Sequence, residues 1–74
     1  MAGKYHRVMI VDRLFEDVTG IWCDGLVCLH DCWFPQVATI PSFGKRSEVH
    51  TGYTIEIVRD SNGVWVFNRV LKRI

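Results

Sequence analysis

Tyr53-Thr-Ile-Glu-Ile-Val-Arg-Asp-Ser-Asn62-Gly63-Val-Trp-Val-Phe-Asn-Arg-Val-Leu-Lys72 carries the clearest fold signal in the chain. Two runs rich in β-branched and aromatic residues flank an Asn-Gly pair. A tight hairpin turn needs positive φ at both central positions, which Asn and Gly tolerate best. Strands are therefore expected over Tyr53 to Arg59 and Val64 to Lys72. A two-residue turn at Asn62-Gly63 would set Val58 against Phe67, Glu56 against Arg69 and Ile55 against Val70. Successive side chains point to opposite faces of a strand. Tyr53, Ile55, Ile57, Val64, Val66 and Val70 would then share one face, which reads as core. Val58, Trp65, Phe67, Arg69, Leu71 and Arg73 would share the outer one, the alternative being a barrel interior that takes in Trp65, Phe67 and Leu71.

The same turn chemistry recurs upstream at Asp24-Gly25, which predicts a second hairpin with strands over Val18 to Cys23 and Leu26 to Cys32. In that register one face carries Ile21, Cys23, Leu26, Cys28 and His30, and the other carries Val18, Trp22, Val27 and Leu29. Both faces are apolar. A sheet with one wet side alternates cleanly, so this hairpin is expected to be covered twice, by its own core and by another strand layer, a second subunit or a partner. Further strands are expected over Tyr5 to Val11 and Gln36 to Ile40, with a short turn or helical turn at Arg13 to Asp17. Helical spacing of apolar residues persists nowhere beyond about two turns. The expected fold is all-β: one small domain over residues 1–74, with five or six antiparallel strands in an SH3-like or OB-like barrel or strongly twisted sheet and little or no helix. Between Pro41 and Gly52 runs a polar connection near the length, about 12 residues, at which loops tend to carry function. It holds Phe43 beside Lys45 and Arg46.

At 74 residues, with 49% apolar and 23% charged side chains, the chain is too hydrophobic for a disordered segment and long enough for one small core. Its formal net charge is +1, but the sign is uneven. Lys4, Arg7 and Arg13 face five acids before residue 45, whereas Lys45, Arg46, Arg59, Arg69, Lys72 and Arg73 face Glu48, Glu56 and Asp60 after it. That bias is weaker than the basic arm of a nucleic-acid binder. No export signal is readable near the start, and no run approaches the roughly 18 apolar residues that span a bilayer. Three cysteines without an export signal fit a reducing, cytoplasmic setting.

Cys23, Cys28, His30 and Cys32 are chemically suited to zinc, but Cα atoms of Cys28 and Cys32 in one extended strand stand about 13 Å apart. A Cys23-Cys28 disulfide meets a similar obstacle, since a two-residue turn makes the pair diagonal neighbours. No paired carboxylates, oriented Cys-His pair or phosphate-cradling glycine loop stands out. No catalytic residue, metal or cofactor is expected. The expected function is a non-enzymatic module that docks on a protein partner, as a regulator or inhibitor that covers the partner's surface, or on a second copy of itself. The alternative is a barrel that binds single-stranded RNA or DNA. Trp65 and Phe67 would stack on bases while Arg69 and Arg73 hold phosphates. Trp22, Phe43, Lys45, Arg46, Trp65, Phe67, Arg69 and Arg73 are the expected partner-binding residues under both readings.

Overall fold

The computed structural model describes residues 6–74, the Phe43 side chain excepted, so the expected strand start at Tyr5 lies outside the described residues. Five strands follow one another: β1 (His6–Asp17), β2 (Gly20–Leu29), β3 (Cys32–Ile40), β4 (Thr54–Arg59) and β5 (Trp65–Lys72), with a single turn of helix, α1 (Phe43–Arg46), between β3 and β4. They close into a barrel in the order β1-β2-β3-β5-β4. β1, β2 and β3 form a meander, and β4 returns through the long connection to lie beside β1. That is a Greek key. A five-stranded Greek-key barrel is the OB-like one of the two expected barrels.

Asp24-Gly25 is not a turn. It lies in the middle of β2, where Gly25 pairs with Val11 on one side and Gln36 on the other. A Cβ on Gly25 would stand 2.0 Å from the Ile10 carbonyl oxygen, so glycine is required for close strand approach and not for a turn. At the same point β1 bulges, leaving Asp12 without a partner while Arg13 pairs with Asp24. The bulge bends β1 enough to run beside both β2 and β4: Met9 faces Val27 and Ile55, and Ile10 faces Leu26 and Thr54. Arg13 to Asp17, expected as a turn, is therefore the second half of β1.

The true turns lie elsewhere. Val18 and Thr19 connect β1 to β2, because the Asp17 side chain accepts the Thr19 amide at 2.8 Å and closes the corner. His30 and Asp31 connect β2 to β3, with φ of 52° and 65°. Two consecutive left-handed residues make the hairpin geometry that follows strand twist, and His and Asp reach it more readily than most side chains.

The β4–β5 hairpin forms as expected but with a longer loop. The Gly63 amide donates to the Asp60 carbonyl, and the Asp60 carboxylate accepts the Asn62 and Val64 amides. Ser61, Asn62 and Gly63, with Gly63 at φ 81°, build a three-residue loop ending in a left-handed glycine. The extra residue sets Val58 against Val66, where Phe67 was expected. An irregularity between Glu56 and Ile57 then restores Glu56 to Arg69 and Ile55 to Val70. The shift turns β5 over. Phe67, expected outside, is 2% exposed in the core, and Trp65 packs against that core. Val64 and Val66, expected inside, are exposed and half-buried respectively.

Met9, Val11, Ile21, Cys23, Val27, Ala38, Ile40, Ile55, Ile57 and Phe67 fill the barrel. Val49, from the connection between β3 and β4, is fully buried among them. The Arg46 guanidinium donates to the Val49 carbonyl at 3.3 Å and helps hold it there.

Candidate functional site

Residues directly opposite one another in a ladder share a face, so the registers of β1, β2 and β3 define the outer surface row by row. One row is Ile10, Leu26 and Pro35; the next outward row on β2 and β3 is Cys28 with Trp33. Val8 stands two residues from Ile10 on the same face. Toward the other end lie Arg13, Asp24 and Val37, and then Phe15, Trp22 and Thr39. Val8, Ile10, Leu26, Trp33 and Val37 are between 41% and 53% exposed. Single exposed apolar residues need no explanation, but a patch three strands wide does.

The middle of this face is hollowed. Asp12, Asp24, Gly25, Leu26, Pro35, Gln36 and Val37 line an open groove of about 620 Å³. Its charge comes from the bulge. Arg13 donates from Nε and Nη2 to Asp24 Oδ2 at 3.0 and 2.7 Å, and its guanidinium lies 5.1 Å from the Phe15 ring centre. This pairing raises the Arg13 pKa, chiefly through the hydrogen bond to Asp24. Asp12 makes no ion pair with a described residue.

The expected partner-binding residues scatter. Trp22 lies on this face, half-buried, with its indole N–H donating to Thr19 Oγ1 at 2.9 Å. Trp65 lies on the inner side of β5, and the Arg7 guanidinium stands 4.4 Å from the centre of its ring while donating to Gln36 Oε1 at 3.0 Å. Phe67 is in the core. With its rings turned inward, β5 does not present the expected row of stacked aromatics. Arg69 donates to Glu56 across the β4–β5 ladder at 3.1 Å. Lys45 and Arg46 belong to α1, and Arg73 follows β5 at the exposed end of the chain. Phe43 begins α1, and its side chain is outside the described part of the structure.

The cysteines separate by strand face. Cys23 points inward and is buried, Cys28 points outward beside Trp33, and Cys32 pairs with Leu29. Burial pushes the Cys23 thiol up to about 11, so it stays protonated at neutral pH. Among the described residues, no group of three or more His, Cys, Asp or Glu is arranged to hold a metal ion. No helix among them is long and apolar enough to cross a membrane.

Ile10, Trp33, Pro35 and Val37 were not among the expected partner-binding residues, and Trp33 and Pro35 lay outside the expected strands, which ended at Cys32 and resumed at Gln36. Proline is tolerated where one side of a strand lacks a partner. Among the described residues β3 is such a strand: its only pairing with β5, parallel where antiparallel strands were expected, is Thr39 to Val66. The usable signal was the alternation of Trp33, Pro35 and Val37 with Phe34, Gln36 and Ala38.

Compared with known protein families, characterised proteins and solved structures, the chain shows no significant match to any of them.

Proposed function

We propose that this barrel is a non-enzymatic docking module that binds a protein partner through the outer face of β1, β2 and β3. The observation that carries the reading is the continuous apolar surface from Val8 to Val37, hollowed at its centre. Water is displaced from such a surface at a gain of about 25 cal/mol per Å² of apolar area buried. Trp33 is the natural anchor, since large aromatics dominate binding energy at protein interfaces. The electrostatics favour protein over single-stranded nucleic acid. The groove carries Asp12 and Asp24, and the adjacent guanidinium is already bonded to Asp24. A phosphate chain gains affinity by releasing counterions to unengaged cations, and this face offers it carboxylates. A reducing cytoplasm, in which Cys28 and Cys32 stay thiols, suits an apolar face of this kind.

Leu26→Asp places a charge in the patch at a position whose side chain already meets solvent, so the fold should survive. Capture from host extract by the wild-type chain and by Leu26→Asp, with circular dichroism and sedimentation of both, tests the proposal. The wild-type chain should retain a protein partner, or sediment as a dimer if that partner is a second copy, and the variant should lose it by at least about tenfold. A strict monomer that captures nucleic acid and no protein overturns the reading. So does a folded variant that captures the same protein equally well.

A further inference from the structure

Resting on that docking reading, we infer that the groove between the β1 bulge and β3 receives a short apolar peptide segment carrying one basic side chain, whose cation sits against Asp12. Charge complementarity selects this occupant. Asp12 and Asp24 both line the groove, and Asp24 is neutralised by two hydrogen bonds from Arg13. Asp12 is exposed and has no ion-pair partner among the described residues. Arg13 bonds Asp24 and acts on Asp12 only through space, so its single positive charge leaves one net negative charge on this trio, in a groove also lined by Leu26, Pro35 and Val37. An acidic segment would meet a like charge there, and a purely apolar one would cover Asp12 without replacing its water.

The bulge is an independent sign of design at this point. An extra residue in a ladder breaks pairing and re-aims its side chain, and such irregularities concentrate beside functional sites. Here the re-aimed side chain is the groove's unmatched acid. The groove's size sets the length of the occupant. About 620 Å³ lies within the range, about 300 to 1,000 Å³, that accommodates small ligands. That is room for a few side chains of an extended segment and not for a folded domain. An apolar floor excludes water from one side of the ion pair, which strengthens it relative to a fully exposed pair.

Three acetylated, amidated peptides of sequence Ser-Leu-Ile-Xaa-Ile-Ser, with Xaa as Arg, Gln or Glu, test this by NMR titration of the whole chain. The Arg peptide should shift the amides of Leu26 and Val37 and bind about tenfold more tightly than the Glu peptide, a gap of about 1.4 kcal/mol. In Asp12→Asn the gap should shrink to within about twofold, with the Gln peptide unaffected. Equal affinities for the three peptides overturn the charge assignment. If Leu26→Asp still abolishes that equal binding, the docking reading stands without it. Shifts confined to another face, or no shifts with any peptide, overturn the inference of a peptide occupant, and capture by the wild-type chain decides the docking reading separately.

Discussion

Glu56 is a buried carboxylate on the outer side of a strand, a position where charged groups are normally solvated. Its two oxygens are occupied: Oε1 accepts from Asn68 Nδ2 at 2.8 Å and Arg69 Nε at 3.1 Å, and Oε2 accepts from His6 Nδ1 at 2.8 Å. Hydrogen bonds to the ionised form favour it. Those from Asn68 and then His6 hold the carboxyl down at about 2, below its ordinary 4.5. A depressed folded-state value stabilises the fold above the unfolded pKa. The contribution of Glu56 should thus be intact above about pH 4.5 and disappear as pH falls toward about 2. Glu56→Gln should lower stability at pH 7 by about 1 to 3 kcal/mol, since one partner of a charge-assisted cluster is lost. Denaturation at several pH values would show the deficit closing between pH 4.5 and 2. A deficit that is constant with pH would remove this account. Asp17, also lowered by its bonds to Thr19, remains in both proteins and cancels in the comparison. The Glu56–Arg69 pairing was legible in the sequence, because opposite charges directly across a hairpin are favourable. The share of His6 was not, since that residue is 50 positions away.

At the scale of elements, β2 shows where local reasoning fails. Asp-Gly has the same preference for a turn wherever it occurs, and Asp24-Gly25 nevertheless runs straight. The alternative use of glycine, close backbone approach, depends on a strand that arrives from a distant part of the chain. Gly25→Ala discriminates the two roles sharply. In a turn with positive φ it would cost about 1 to 2 kcal/mol. Against the Ile10 carbonyl the new methyl has no room, and the Met9 side chain blocks the inward direction as well. Gly25→Ala should destabilise by about 3 kcal/mol or more, the upper end for overpacking. Chemical denaturation would measure it, and a midpoint shifted by less than about 1 kcal/mol would show that the strands separate easily there. The β4–β5 hairpin teaches a milder lesson. Asn62-Gly63 marked the tip correctly, but the Asp60 side chain recruited two amides and lengthened the loop by one residue. One residue is enough to exchange the faces of a strand. That is why the expected aromatic surface of Trp65 and Phe67 became interior.

Across the whole molecule, closure is uneven. β2 is paired on both sides from Ile21 to Val27, whereas β3 meets β5 at Thr39 and Val66 alone among the described residues. Backbone groups without a ladder partner exchange with solvent through small local openings. In native-state hydrogen exchange, the β3 amides between Trp33 and Val37 that point away from β2 should exchange at least about 100-fold faster than the β2 amides from Asp24 to Val27, which are paired on both sides. Uniform protection across both strands would show that the seam is sealed along its length. Pro35 fits this picture, since among the described residues it has no second neighbouring strand, and it offers an added strand one donor fewer. The buried apolar core is small for a domain, so stability is expected to be modest and sensitive to each contact. A partner covering the β1–β2–β3 face would add to it by binding the folded state.

The sequence alone determined the β class, the small core, the β4–β5 hairpin and the presence of more apolar surface than one core can absorb. These follow from composition, period-two alternation and turn chemistry, all readable within a few residues. Only the tertiary structure decided which surface is surplus. Leu26 is outside and Val27 inside because a bulge at Asp12 and a glycine under Ile10 set the β1–β2 register, and Phe67 is inside because the Asp60 loop set that of β4 and β5. Register depends on contacts between distant segments, and a shift of one residue reverses every face.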